Sequence, residues 1–521
     1  MKRYGVMLDC SRNGVMKIDE IKKLIVYLEK MGYNALELYT EDTYELENEP
    51  YFGYMRGRYT DKEIQEIDRF AVLHGVELIP CIQTLAHFTA IVRHSAYKAI
   101  VDVDDILLID EPKTYELIDK IFQSLAKNYT SRQVNIGMDE AHMMGKGKYL
   151  DKHGVCNRFD IFLRHLNKVV DIAKKYGFTV HMWSDMFFRL ANNGDAYGKN
   201  VVIPDEIVAK IPDDVVLAYW DYYHYHKEDY DEMFRAYERI ERPVWFFGSV
   251  WTCCGFVPLW DKVIDTMKPA MQSAREYGTE NVFFCAWGDG GRECSYFAAL
   301  PLLYTTKQYA DGNFDDKKIA DGFYQTFGLH MDDFQLLSKI NGTKSRREYF
   351  ASTHLYNDPL LGLNDLFVQE NGDVPYVEYS KALAEAKTRA GEFAYVFDCA
   401  EKLSRLLELK YDFGVRLRKA YQTNDKDALH VCAQECGEMV VRTEAFYESL
   451  KTLWYKENKP FGFEVQTVRI GAVLQRLKDC KTRIEEYLAG KAATIPELCE
   501  TPLPHPEYDA QYLTLLSAGK I

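Results

Sequence analysis

The chain has 521 residues, with 64 Lys+Arg against 79 Asp+Glu and a formal net charge of −15. That acidity argues against a nucleic-acid or anionic-membrane partner, which wants a basic face. A content of 47% hydrophobic and 27% charged residues excludes a disordered chain and suits a large buried core.

At roughly 100–200 residues per domain, the length predicts two or three domains. No stretch reaches the ~18 consecutive apolar residues of a membrane span, and Val6-Met7-Leu8 is too short for the core of an export signal. The 12 cysteines are scattered without a paired CxxC zinc pattern, which points to a reduced, cytoplasmic protein whose thiols pack as small apolar side chains.

Eight near-continuous apolar runs read as strands covered on both faces: Arg3–Asp9, Asn34–Tyr39, Val76–Cys81, Gln133–Asp139, Phe178–Ser184, Asp214–Trp220, Pro243–Ser249 and Asn281–Trp287. Helical periods such as IDEIKKLIVYLEKMG, DKEIQEIDRFAVLHG and FDIFLRHLNKVVDIAKKYG lie between them. The joints MGYN, HGVE, YGFT and YGTE each place a glycine just past a helix and before a strand. Eight such units predict a parallel (β/α)8 TIM barrel over residues 1–335. A doubly wound sheet is the alternative, but no Gly-rich phosphate turn follows strand one.

The grammar then changes. Val377–Tyr395, Val396–Ala420, Asp425–Leu453 and Phe463–Ala489 are long, charged and helical in period, predicting a C-terminal α-helical domain over 336–521, entered through a loop-rich stretch, Asn341–Asp373. Its charged faces are solvated or meet a second subunit, so a homodimer is one expectation. Thr494–Glu507, with four prolines, reads as an extended surface segment.

In such a barrel, function sits at the C-terminal ends of the strands. Those positions hold Asp9 and Arg12; Glu41 and Asp42; Gln83 and His87; Asp139-Glu140; Trp183 and Asp185; Trp220-Asp221-Tyr222; Trp251; and Trp287 with Asp289. Four of the chain's seven Trp thus stand at four successive strand ends. Carboxylates interleaved with indoles suit a neutral, polyhydroxylated ligand, whose C–H faces pack on rings while its hydroxyls bond the acids; the 37 Tyr and 28 Phe add to that aromatic supply. Two adjacent carboxyls at a buried strand end should repel, raising one of them enough to serve as a general acid. The plainer alternative makes Asp139 the cap of a following helix and Glu140 a surface residue of its first turn. His224 and His226 lack a third ligand, so no metal is expected.

Asn135-Ile-Gly-Met-Asp139-Glu140 resembles the His-x-Gly-Gly-Asp-Glu motif of glycoside hydrolase family 20, the β-N-acetylhexosaminidases. The resemblance runs from Met1 to about Gln325. Gly5–Arg12 resembles the first-strand segment whose Arg binds the sugar's 3- and 4-hydroxyls, and Leu78–His87 the strand-three segment ending in Pro-Gly-His. Pro212–Trp220 is similar to the segment carrying an acetamide-pocket Trp; Trp183 and Trp287-Gly-Asp289 are similar to the strand-five Trp and strand-eight Trp-x-Glu. Asn135 and Met138 depart from the motif, Asp289 is a methylene shorter than the family's Glu, and Gly248–Thr252 does not match the strand-seven Tyr-x-Asp. With no small α/β domain ahead of strand one, the pattern is nearest a compact intracellular bacterial subgroup.

The resemblance implies an exo-β-N-acetylhexosaminidase that removes terminal GlcNAc or GalNAc from a small oligosaccharide or glycan, without cofactor, by substrate-assisted retention. It makes Glu140 the acid and Asp139 the anchor of the acetamide. Arg12, His87, Trp183, Trp220, Tyr222, Trp251, Trp287 and Asp289 would be substrate-binding residues, Tyr222 being preferred to Tyr219 and Tyr223 as donor to the acetamide oxygen. The rivals are a barrel glycosidase pairing Glu140 with Asp185 or Asp289, and a non-catalytic sugar-binding protein.

Overall fold

Runs too apolar to face water on either side must be covered on both, and a closed sheet ringed by helices does this without leaving an edge. The computed structural model describes residues 2–253, 255–341 and 350–504. Strands β1 (Tyr4–Asp9), β2 (Ala35–Thr40), β3 (Glu77–Ile82), β4 (Gln133–Asn135), β5 (Thr179–Trp183), β6 (Val216–Trp220), β7 (Val244–Ser249) and β8 (Val282–Ala286) form a closed barrel. Every pairing is parallel; each strand neighbours the next in sequence, and β8 returns to β1 with Tyr4 opposite Val282. This is the (β/α)8 architecture expected from the sequence.

The helices follow the same logic. α1 (Ile18–Met31) turns Leu24, Ile25 and Leu28 inward, and α2 (Asp61–Leu73) starts at a capping box in which Thr60 and Glu63 satisfy one another's backbone N–H. α3 (Pro112–Asn128) has proline in its first turn, and α4 (Arg158–Lys175) is capped by the Asn157 side chain. α5 (Asp185–Ala191), α6 (Lys227–Glu238), α7 (Trp260–Glu276) and α8 (Leu300–Asp311) complete the series. Gly32, Gly75, Gly177 and Gly278, the joint glycines read from the sequence, all have positive φ. Between β3 and α3 the chain makes an excursion that includes an antiparallel pair, Val101–Val103 with Ile106–Leu107.

The barrel interior is aromatic. A Cβ on Gly5 would lie 2.1 Å from the Phe283 ring, so glycine leaves room for a ring that stacks on Phe247 at 4.9 Å and Trp245 at 5.6 Å. His181 and Glu37, both fully buried, meet at 2.6 Å within it.

Residues 2–251, 261–287 and 302–321 form one unit; 252–260, 288–301 and the described residues from 322 onward form another. The boundary expected after residue 335 lies inside a helix of the second unit, Met331–Ser338, which follows the helix Asp316–Phe327 after a short turn at Gly328. The second unit's long helices are α9 (Tyr376–Arg389), α10 (Ala394–Lys410), α11 (Phe413–Gln422), α12 (Lys426–Glu457) and α13 (Phe463–Leu488). The expected helix Val377–Tyr395 stops early, where Gly391 takes positive φ, and Val396–Ala420 divides at Tyr411-Asp412. The expected loop-rich stretch carries helices Phe350–Tyr356 and Asp365–Asn371; residues 342–349 of it lie outside the described residues.

The expected extended tail is corrected over its first half. Pro496–Cys499 is a helical turn with Ile495 and Leu498 fully buried, and the Arg418 guanidinium donates to the carbonyls of Glu497 and Glu500. Residues 505–507 lie outside the described residues. Cys10, Cys81 and Cys285 in the barrel and Cys399, Cys432, Cys436 and Cys480 in the helical unit are buried cysteines. Among the described residues no helix is long and apolar enough to cross a membrane.

Candidate active site

The site is built around the end of β4. That strand stops at Asn135 rather than continuing to Asp139 as expected, because Gly137, Met138 and Glu140 all take positive φ. A Cβ on Gly137 would sit 2.1 Å from Gln83 Oε1 and 2.7 Å from the Ile82 carbonyl, so only glycine lets the chain pass this close to β3. Asn135 Oδ1 accepts from the Gly137 N–H at 3.0 Å, and Gln83 Oε1 accepts from the Met138 N–H at 3.2 Å. Non-glycine residues held in this region mark a strained, over-determined turn. No helix follows directly: the next begins at Lys148, so Asp139 caps nothing.

The turn drives the two carboxyls apart. Asp139 points inward, its side chain 9% exposed, while that of Glu140 is 41% exposed. Asp139 Oδ1 accepts from Gln83 Nε2 at 2.9 Å and Oδ2 meets His87 Nε2 at 3.2 Å. Burial alone would raise Asp139; His87, then Gln83 and Arg12, outweigh it and hold this carboxyl below its usual value. The expectation of a raised carboxyl in the Asp139-Glu140 pair is therefore corrected at Asp139: cations arriving from β1 and β3 reverse the effect of repulsion. Beside the pair it is Asp185 that is raised, pushed up to about 6 by burial and by Asp139.

His87, itself at positive φ, is opposed by burial but pushed up to about 9 by Asp139. Its folded value lies above the ~6.5 of a free imidazole, so the pair's contribution to stability is full below about pH 6.5 and is lost as pH rises through about 9. The difference in Tm between wild type and His87→Gln should be largest near pH 6 and shrink toward pH 10. A difference independent of pH would show that His87 is uncharged in this pair.

Arg12 enters from the loop after β1. Its Nε donates to Glu41 Oε1 at 3.1 Å, and Asp9 Oδ1 accepts from the Arg12 backbone N–H. The guanidinium carbon stands 5.3 Å from the Trp287 ring and 5.6 Å from that of Tyr39, whose hydroxyl also donates to Glu41. Trp287 packs edge-on to Tyr39 at 5.0 Å and 6.2 Å from Trp183. Trp183 is buried, and its Nε1 has no hydrogen-bond partner among the described residues.

A second aromatic group follows β6 and β7. Tyr222 lies 5.7 Å from Trp220 and edge-on to Trp251 at 5.5 Å. Trp251, at positive φ, donates from Nε1 to the Tyr222 carbonyl, and Lys262 Nζ stands 3.5 Å from its ring centroid. Tyr219 turns away into packing and donates to Asp221 at 2.7 Å. His224 is paired with that same Asp221 at 2.8 Å. Asp289 is exposed in the turn after β8, in the segment that belongs to the second unit.

Tyr39 and Arg189 were missed. Tyr39 reads as one more core residue of β2. Arg189 lies on a helix rather than at a strand end, and its signal was the i,i+4 spacing from Asp185. His87 Nε2, Asp139 Oδ2 and Glu140 Oε2 lie within 4.8 Å of one another, close enough to share a cation.

Residues 3–232 match the family model described as Glycosyl hydrolase family 20, catalytic domain, and residues 328–514 match the Glycoside Hydrolase 20C C-terminal domain. Hexosaminidase D of Homo sapiens is 24% identical over 217 residues, covering 40% of this chain and 42% of that protein. Beta-hexosaminidase of Vibrio furnissii is 25% identical over 176 residues, covering 27% and 29%. The chain thus spans less than half the length of these relatives. Among solved structures, the GH20 exo-β-N-acetylglucosaminidase of Vibrio harveyi superposes with a TM-score of 0.48 at 16% identity, covering 65% of this chain and 58% of that one.

Proposed function

We propose, since the chain belongs to glycoside hydrolase family 20, that it is an exo-acting β-N-acetylhexosaminidase releasing terminal β-linked GlcNAc or GalNAc by substrate-assisted retention. The observation that carries the reading is the divergence of two adjacent carboxyls: Asp139 buried and held ionised, Glu140 turned toward solvent. Neighbouring acids in unlike environments divide the labour of acid and charge stabiliser.

On this reading Glu140 protonates the leaving oxygen as the substrate's own acetamide oxygen attacks the anomeric carbon, closing an oxazolinium ring and breaking the glycosidic bond. Asp139 accepts the acetamide N–H and offsets the positive charge that develops there. Glu140, now a carboxylate, takes a proton from the water that reopens the ring. The internal nucleophile needs orientation above all, and the indoles of Trp183, Trp220 and Trp287 supply walls for it. Arg12 presents donors to ring hydroxyls, and Tyr222 and Trp251 extend the aromatic surface. The scheme uses no cofactor or metal.

Asp185 is a poor second nucleophile, because it is buried and already binds the Glu140 N–H and Arg189. The test is a chromogenic β-GlcNAc substrate with an N-acetylglucosamine-derived thiazoline as inhibitor. Turnover blocked by tight competitive thiazoline binding is expected. Turnover indifferent to thiazoline would mean a two-carboxylate glycosidase, and no turnover on GlcNAc or GalNAc substrates would leave only a sugar-binding protein.

A further inference from the structure

We propose that Asp185 and Arg189 are positioning residues for Glu140, a charge-compensated pair that aims its carboxyl and sets how firmly it keeps its proton. The inference rests on the reading of Glu140 as the acid. Asp185 opens α5 directly behind β5, and Arg189 follows one turn later on the same face. Asp185 Oδ2 accepts two hydrogen bonds, from the Glu140 backbone N–H at 3.2 Å and from Arg189 Nε at 2.7 Å. The far arm of the guanidinium is fixed by Nη1 donating to the Gly194 carbonyl at 3.0 Å. That leaves Nη2 directed at Glu140 Oε1, 3.5 Å away. One carboxylate thus holds both the backbone of the acid, at its strained φ of 50°, and the cation that faces its side chain.

The arrangement has an electrostatic consequence. A guanidinium this close to Glu140 would by itself favour the carboxylate and weaken the acid. The ionised Asp185 beside it cancels most of that field. Burial and Asp139 push Asp185 up to about 6, so it is ionised through the neutral range and above. Other charged or titratable groups facing Glu140 include His87 at 3.7 Å, Asp139 next in the chain, and His142, which in turn feels Arg189 and, less, Arg158. Tyr237 faces Asp185 from α6. Neither Asp185 nor Arg189 needs to touch the sugar for the pair to act.

The experiment is the pH profile of kcat/KM for wild type, Asp185→Asn, Arg189→Gln and the double variant, each with a poor and a dinitrophenyl leaving group. Folding of each is checked by Tm at pH 7. The alkaline limb belongs to Glu140 if it flattens with dinitrophenyl, which needs less protonation. Asp185→Asn should move that limb acidward by about one pH unit, Arg189→Gln should move it alkaline, and the double variant should return it toward wild type. A purely structural role would lower kcat/KM at every pH and leave the limb in place, which would overturn the proposal. If Asp185→Asn does not fold, the Arg189→Gln limb decides: a shift upward supports the pair, an unmoved limb refutes it. If the wild-type limb ignores the leaving group, the acid reading of Glu140 fails instead.

Discussion

Asp139→Asn should leave the fold and pocket shape intact while lowering kcat by roughly 10²–10³-fold or more, the loss expected when one preorganised stabiliser of a developing charge is removed. The amide keeps the volume and one acceptor, so packing against Gln83 survives. What disappears is the negative charge that His87, Gln83 and Arg12 hold in place. A protonated His87 would then face a neutral amide, and its own proton affinity should fall with the loss of its partner. The loss should therefore fall on kcat rather than KM, since the charge matters most once the oxazolinium forms. Equal loss with substrates that differ in leaving group would follow, because the acetamide rather than the leaving oxygen is affected.

Glu140→Gln should behave differently. Its binding of substrate should change little, and its rate should fall roughly 10²–10⁴-fold with poor leaving groups, the usual scale of general acid catalysis. With nitrophenyl leaving groups, which depart with less protonation, the loss should be markedly smaller. Measured side by side, the two variants separate the roles: the Glu140→Gln deficit tracks leaving-group pKa and the Asp139→Asn deficit does not. If both substrate types fell equally in Glu140→Gln, its role as acid would be wrong.

The barrel was legible because burial on both faces turns each strand into an unbroken apolar run, and because a helix ending before a strand needs a left-handed residue that glycine supplies at Gly32, Gly75, Gly177 and Gly278. The end of β4 was not legible. Met138, Glu140 and His87 adopt positive φ against their own preference, and the contacts that hold the turn, Gln83 on the Met138 N–H and Asp185 on the Glu140 N–H, come from distant strand ends that no local pattern announces. The acids and indoles at the strand ends could be proposed from strand-end position alone, since a barrel of this kind directs such side chains to one rim. Their protonation could not, since the state of Asp139 depends on Arg12 and His87, far apart in sequence from it and from each other. Arg189 stayed hidden because it reaches the rim from within α5. In the second unit, the charged helices hid how early the tail folds back, with Ile495 and Leu498 buried despite the prolines around them.

The most direct test of substrate assistance is product analysis of Asp139→Asn in the presence of azide. A carboxylate that attacks carbon leaves a gap on the sugar's α face when it is replaced, and a small anion entering that gap restores turnover and gives an inverted α-glycosyl azide. If the acetamide is the nucleophile, Asp139 never contacts the anomeric carbon and its replacement opens no such gap. The account predicts no rescue of rate by azide and no α-glycosyl azide among the products. An α-glycosyl azide with restored turnover would identify Asp139 as the nucleophile and contradict it.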